Sequence, residues 1–254
     1  MSGQVMTSKV VIVTGASKGI GAAIVAWLLG QSHKVVVTAR SEAPLQALKK
    51  SHPGQVEYLA GDITDLSMPG KLVELAVKSF GKLNGLVINH SLLQINKLGS
   101  VSLEEVKRVY DVNVFSGISL INAALDELRN TKGSLVWVSS GAANMSLAAW
   151  GTYASSKAAV NAILAHYAVE EPDVSSIAIN PGIVDTDMQA TIRDQGKASM
   201  YQAEHENFVA VFEAGGLLKP EQPGSVIAKL AVKPTKELSG RFLSWDSPEL
   251  AAFQ

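Results

Sequence analysis

Tyr153 and Lys157 stand four residues apart in Tyr-Ala-Ser-Ser-Lys, so on a helix both side chains leave one face. A free phenol, with a pKa of about 10, is a poor acid–base group at neutral pH. An ammonium about 4 Å away, at an effective dielectric of about 20, is worth roughly 4 kcal/mol, or about 3 pK units. That pairing brings Tyr153 toward the range in which it can give and take a proton. Ser139 and Ser140 close a strand-like run that begins at Ser134. A hydroxyl there can hold a carbonyl oxygen by a hydrogen bond that strengthens as negative charge develops. Asn113 is a polar amide inside the apolar helical pattern Asp111-Val112-Asn113-Val114; it either bonds backbone or belongs to the same site.

A second group of residues suits a phosphate. The loop Thr14-Gly15-Ala16-Ser17-Lys18-Gly19-Ile20-Gly21 follows an apolar run directly and precedes a helical pattern. Glycines there let the chain turn sharply and bring bare backbone to a pyrophosphate, whose charge meets the amides of the helix N-terminus. The spacing is not that of a Walker loop, since Gly21 occupies the lysine position, nor of G-x-G-x-x-G, since position 17 is serine. Gly15, Ser17, Lys18, Gly19, Ile20 and Gly21 are the candidate contacts. A carboxylate at the end of the second strand would hold an adenosine ribose and repel a 2′-phosphate. This chain has Thr38-Ala39-Arg40 there. Arg40, with Lys18 as a second cation, can pair with a phosphate, which favours NADP(H) over NAD.

The positioning elements alternate. Apolar, β-branched runs at 9–13, 34–38, 56–59, 86–88, 134–139 and 174–179 read as buried strands. Helical spacing falls between them, after the glycine loop and at 43–50, 72–80, 103–110, 114–128 and 153–169. Such alternation predicts an α/β chain with a parallel sheet covered on both faces, the doubly wound, Rossmann-type arrangement. No linker, charge run or repeat divides residues 1–254, so a single domain is expected. The rhythm breaks after the sixth strand, where an amphipathic segment at about 187–216 has the length and place of a lid over the carboxyl ends of the strands. A last helix at 225–232 and a strand at 240–245 close the chain.

Composition narrows the chemistry. The 254 residues are 47% hydrophobic and 18% charged, with formal net charge −1 and no cysteine. Disulfides, thiolate nucleophiles and cysteine-ligated metals are thereby excluded. Near-neutral charge argues against nucleic-acid and membrane-surface partners. No His, Cys or paired acids stand at metal spacing, so no metal site is expected; His90 is read as neither base nor ligand, and His33, His52, His166 and His205 as surface or packing residues. The first nine residues are polar and the apolar run at 10–13 is too short for a leader or a span, so a cytoplasmic protein is expected.

Taken in order, the glycine loop, Asp62, Asn113, Ser140 and the Tyr153/Lys157 pair resemble the short-chain dehydrogenase/reductase family across nearly the whole chain. The thirteen-residue step from Ser140 to Tyr153 matches the family's and selects Ser140 over Ser139. The resemblance implies that Tyr153 is the proton donor, that Lys157 binds the nicotinamide ribose and lowers the tyrosine pKa, that Ser140 polarises the carbonyl, and that Asn113 anchors a proton-relay water. It implies that Asp62 contacts the adenine ring, that Asn89 belongs to the cofactor site, and that Val184 and Thr186 hold the carboxamide. The chain departs from the family at Ile88-Asn89-His90-Ser91, where Asn-Asn-Ala-Gly is usual; Ser91 replaces a glycine beside the cofactor.

Within the family, Val138–Ala143, Trp150, the 182–188 stretch and the 240–250 tail are similar to fungal benzil reductase-like carbonyl reductases. That likeness implies an NADPH-dependent ketone or diketone reductase with Met145, Leu147, Trp150, Met188 and the lid as pocket walls, assembled as a homodimer or homotetramer. A pterin reductase, an alcohol dehydrogenase of the same fold and a non-catalytic NADP-sensing regulator are the alternatives. The intact Ser140, Tyr153 and Lys157 weigh against the last, because a regulator has no need of the phenol.

Overall fold

The computed structural model describes residues 8–254; the first seven, on which much of the leader reading rests, lie outside the described residues. Seven strands form one parallel sheet in the order β3-β2-β1-β4-β5-β6-β7. They are β1 (Val10–Thr14), β2 (Lys34–Ala39), β3 (Val56–Ala60), β4 (Gly85–Ile88), β5 (Ser134–Val138), β6 (Ser175–Asn180) and β7 (Phe242–Ser244). Helices connect them: α1 (Gly19–Gly30), α2 (Glu42–Ser51), α3 (Met68–Phe80), α4 (Leu103–Tyr110), α5 (Ser116–Thr131), α6 (Gly151–Glu170), α7 (Asp187–Gln195), α8 (Gln202–Glu213) and α9 (Glu221–Val232). The doubly wound reading is therefore correct, with strand ends within two residues of those expected.

Successive strand residues point to opposite faces, and both faces are buried. Val11, Val13, Val35, Val37, Val136 and Ile179 pack with Ile24 and Leu28 of α1 and Val226 and Leu230 of α9. On the other face Val10, Ile12, Val36, Leu86 and Trp137 pack with Leu72 of α3, Leu120 and Ile121 of α5 and Val160 of α6. With both faces covered, most strand positions are filled by apolar side chains, which is why the strand runs show no regular polar alternation.

The chain steps outward from β1 to β3 and then returns to the other side of β1 as β4. That reversal separates the loops after β1 and β4 and opens a crevice at the carboxyl end of the sheet. One feature differs from the sequence expectation. The helices at 103–110 and 114–128 are joined by a π-helical turn, Asp111–Phe115, so the run 103–131 is continuous. The segment after β6 is two helices, α7 and α8, joined through a short 3₁₀ turn at Gly196–Ala198.

Candidate active site

The glycine loop leaves β1 and enters α1 with Gly15 at φ +63° and Gly19 at φ +55°. Gly21 is required for a different reason: a Cβ there would lie 2.2 Å from the Gly15 carbonyl oxygen. Asn89, at the end of β4, braces the loop. Its side-chain amide donates to the carbonyls of Thr14 and Gly15 at 3.2 Å each, and its backbone N–H donates to Thr14 Oγ1 at 2.9 Å. The α1 N-terminus has no side-chain cap and no acidic residue in its first turn. Its first amides thus keep their donors for an anion, as a pyrophosphate requires.

The flanking charges are distributed as follows. Arg40 is exposed just past the end of β2. Lys18 forms an exposed ion pair with Asp187, the first residue of α7, linking the glycine loop to the helical excursion. Asp62 lies two residues past β3. It accepts from the backbone N–H and hydroxyl of Thr64 and from Arg108 Nη2 at 2.9 Å, and these bonds hold its carboxyl down at about 2. Thr186 precedes α7 at its N-cap position, its Oγ1 donating not to the helix but to the Val184 carbonyl at 3.3 Å, and Val184 bridges Leu218 in parallel. Only 3.1 Å separates Thr186 Cγ2 from the position a Gly19 Cβ would take, so the loop after β6 lies against the glycine loop.

The catalytic candidates converge at the ends of β4, β5 and α6. Tyr153 and Lys157 are 4% and 1% exposed on one face of α6. Lys157 Nζ donates to the Val138 carbonyl at 2.8 Å and lies 5.8 Å from the Tyr153 ring centre. Here the electrostatic expectation fails. Burial raises the Tyr153 pKa, against smaller lowering effects from the hydroxyls of Ser140 and Ser91, and burial pulls Lys157 down to about 7. Removing both groups from water disfavours both ionised forms, and a half-neutral ammonium bonded to a carbonyl cannot supply the depression that a full charge at 4 Å would.

The two serines separate cleanly. Ser139 is buried, with its hydroxyl toward the Lys157 carbonyl at 3.5 Å. Ser140 is the residue that faces the phenol; its Oγ accepts from Ala142 N–H at 3.2 Å and starts the 3₁₀ turn Gly141–Asn144. Asn180, which opens the segment read as holding the carboxamide, ties β5 to β6 by accepting from the Gly141 and Gly182 amides at 2.9 and 3.1 Å.

The π-turn places Asn113 inward, 1% exposed. Its Oδ1 accepts from Leu92 N–H at 2.7 Å and Ser91 Oγ at 3.2 Å; its Nδ2 donates to the Leu92 carbonyl at 2.9 Å and Ser156 Oγ at 3.0 Å. All four side-chain hydrogen-bonding positions are thereby filled. Any water that Asn113 anchors is left with its main chain.

His90 is partly buried and tied into the fold by both ring nitrogens. Its Nε2 lies 3.0 Å from the Val112 carbonyl and 2.9 Å from Ser116 Oγ, while Nδ1 lies 2.7 Å from Thr14 Oγ1. A carbonyl partner requires the proton on Nε2, leaving Nδ1 to accept from Thr14. Burial first, and the Lys157 charge second, hold its pKa at about 4, so the ring is neutral. One neutral imidazole thus joins the glycine loop to the π-turn.

Above the phenol is an apolar cluster of Ile95, Ala142, Trp150, Tyr153, Ile192 and Met200, with Leu93, Leu147, Met188 and Phe208 against it. Trp150 stacks on Phe208 of α8 at 5.5 Å, meets Tyr153 edge-on at 5.8 Å and points Nε1 at Met200 Sδ, 3.5 Å away. Trp150 belongs to this cluster and Leu147 and Met188 pack against it, whereas Met145 is 55% exposed and outside it, just past the 3₁₀ turn. Leu93 and Ile95, on the loop after β4, had no periodic signal to mark them.

Residues 9–197 match the family model of the short chain dehydrogenases. The chain belongs to that family. It is 43% identical over 250 residues to an uncharacterized oxidoreductase of Saccharomyces cerevisiae, YIR035C, covering 96% of this chain and 98% of that one. The YIR035C crystal structure superposes with a TM-score of 0.95 at 42% identity, covering 97% and 100% of the two chains. A second S. cerevisiae relative, the (S)-benzoin-forming benzil reductase IRC24, is 36% identical over 260 residues, covering 97% and 99%. A blue fluorescent protein from a metagenomic library, solved in complex with NADPH, superposes with a TM-score of 0.79 at 25% identity, covering 93% and 95%. This short-chain dehydrogenase is accordingly an oxidoreductase acting on CH–OH or C=O groups with a nicotinamide cofactor. Among the described residues there is no helix long and apolar enough to cross a membrane and no cluster of metal-ligating side chains.

Proposed function

We propose that this protein is an NADPH-dependent reductase of ketones or diketones. The observation that carries the reading is Tyr153, its phenol buried beneath an apolar wall of Trp150, Leu147, Met188 and Phe208, with Ser140 beside it and Lys157 behind. The uncapped α1 N-terminus and the glycine loop suit a pyrophosphate, and Arg40, with no acid among Thr38, Ala39 and Arg40 at the end of β2, suits a 2′-phosphate. The NADPH bound by a structural neighbour supports the same cofactor, and the benzil reductase relative supports a diketone substrate. Lys18 joins Arg40 in this role by exchanging its exposed partner Asp187 for phosphate.

When bound, the cofactor supplies the hydride. Lys157 Nζ would hold the nicotinamide ribose, Val184 and Thr186 the carboxamide, and Asp62 the adenine. Ser140 Oγ–H donates to the substrate carbonyl oxygen, and Tyr153 gives that oxygen its phenolic proton. Helices α7 and α8 act as the lid, excluding water through the Trp150–Phe208 stack. A dimer or tetramer and a cytoplasmic location complete the proposal; the exposed Leu103 and Phe115 on the 103–131 helical run mark the face for self-association.

Tyr153→Phe tests the mechanism. Ketone-dependent NADPH oxidation should fall at least about a hundredfold, while NADPH still quenches tryptophan fluorescence with unchanged affinity. Unchanged turnover refutes it. Tetrahydropterin formation, with no turnover of aryl diketones, would favour the pterin alternative.

A further inference from the structure

Helix α8 grips the short turn at 147–150 at two points. Glu204 accepts the Ala148 N–H at 3.1 Å, and Phe208, one helical turn further along, stacks on Trp150 with ring centres 5.5 Å apart and planes within 10°. Among the described residues, the Glu204 bond is the one hydrogen bond from α8 to anything outside the 187–216 excursion. The turn itself is closed by the Trp150 N–H, which donates to the Leu147 carbonyl at 3.3 Å, with Ala149 in its third position at φ +69° and 6% exposed. Glycine or asparagine suits that left-handed position; an alanine stays there only where its surroundings hold it. Trp150 leads directly into α6 and meets the Tyr153 ring edge-on at 5.8 Å. A carboxylate on the excursion thus holds the strained turn that sets the indole against the phenol ring.

We propose that Glu204 is a positioning residue that sets substrate choice: through Ala148 it holds Trp150 between Phe208 and Tyr153, and so fixes the apolar space open to an aryl group next to the reacting carbonyl. The inference rests on the ketone-reductase reading for its consequence in turnover. No backbone carbonyl accepts the Ala148 N–H, so Glu204 supplies the partner that the turn lacks. Without that partner Ala149 relaxes out of positive φ and carries the indole away from Phe208. An aryl substrate that packs on the indole loses binding by this movement, whereas a small aliphatic ketone does not reach it. Lys157 stays where it is, because its Nζ is held by the Val138 carbonyl at the end of β5. A general tie between α8 and the rest of the chain is the rival role.

The test compares wild type in the full chain with Glu204→Ala, with Glu204→Gln, which keeps an acceptor oxygen, and with Glu206→Ala, which removes a neighbouring exposed carboxylate bonded to Gln202. Trp150 is read by ¹⁹F NMR of 5-fluorotryptophan, with Trp150→Phe identifying its signal among the four tryptophans. Alongside are kcat and KM for an aryl diketone and for a small aliphatic diketone, and the affinity for NADPH. Glu204→Ala should shift the Trp150 signal and leave the other three in place. It should raise the KM for the aryl diketone about five- to tenfold, the worth of one charge-assisted hydrogen bond, with the aliphatic KM and NADPH affinity within about twofold of wild type. Glu204→Gln and Glu206→Ala should behave as wild type. An unmoved Trp150 signal overturns the proposal whatever happens to turnover. KM values that rise alike for both diketones assign Glu204 to the general tie and overturn it as well. A Trp150 signal moved by Glu204→Ala and kept by Glu204→Gln, in a protein that reduces no ketone, upholds the positioning of the indole and overturns the reductase reading.

Discussion

Lys157→Met should make the protein more stable as it abolishes turnover. The ammonium is 1% exposed, has one protein partner, the Val138 carbonyl at 2.8 Å, and burial brings its pKa from 10.5 to about 7. At about 1.36 kcal/mol per unit, that difference costs the folded state roughly 5 kcal/mol at neutral pH. Methionine keeps most of the bulk but leaves the Val138 carbonyl without its donor, a loss of about 1–3 kcal/mol. The net gain is about 2–4 kcal/mol near pH 7, which raises the Tm of a domain this size by roughly 4–12 °C. The sign with pH follows from the folded pKa lying below the unfolded one. Between about 7 and 10.5 the unfolded chain binds the extra proton, so wild-type stability rises with pH and is lost as pH falls toward 7. The variant lacks that slope. Urea unfolding of both proteins at several pH values from about 7 to 9 should show the gap closing by roughly 1 kcal/mol per unit. A gap that stays constant with pH, or a variant less stable than wild type at pH 7, refutes the reasoning.

Arg40→Asp should move the ratio of kcat/KM for NADPH over NADH toward NADH by about 10–100-fold, the worth of a charge-assisted phosphate contact; an unchanged ratio removes Arg40 as the reader of the 2′-phosphate. His90, neutral with a pKa of about 4, should make the wild type lose on the order of 2–3 kcal/mol as pH falls from about 6.5 to 4, a slope that His90→Asn lacks; parallel acid-unfolding curves would contradict this. Trp150→Ala deletes the stack with Phe208 and should raise the KM for aryl ketones about tenfold or more with little change in NADPH binding. Equal KM values would place Trp150 outside the substrate wall.

Much of the architecture was legible because its cause is local. Buried parallel strands need apolar residues on both faces, so Val10–Thr14 and Ser134–Val138 announce themselves as unbroken runs, and the glycines at 15, 19 and 21 mark the turn between β1 and α1. The π-turn at Asp111–Phe115 was hidden, since one extra residue in a turn leaves the apolar period of the flanking helices intact. That Met145 is exposed while Trp150 is buried was likewise not legible, since burial depends on what packs against each residue.

The identities at 140, 153 and 157 and their spacing were determined by sequence alone, since a helical four-residue step puts the last two on one face whatever surrounds them. Only the tertiary structure decided their ionisation. Spacing predicted a lysine that lowers the tyrosine, but desolvation depends on everything packed around the pair, and that packing raises the phenol and lowers the ammonium instead. It also decided what holds His90 and Ser91 in place, for their partners Thr14, Val112, Asn113 and Ser116 arrive from β1, the π-turn and the start of α5. Partners 22 to 76 residues away in the chain leave no periodic trace in a sequence; they meet only because β4 crosses to the far side of β1.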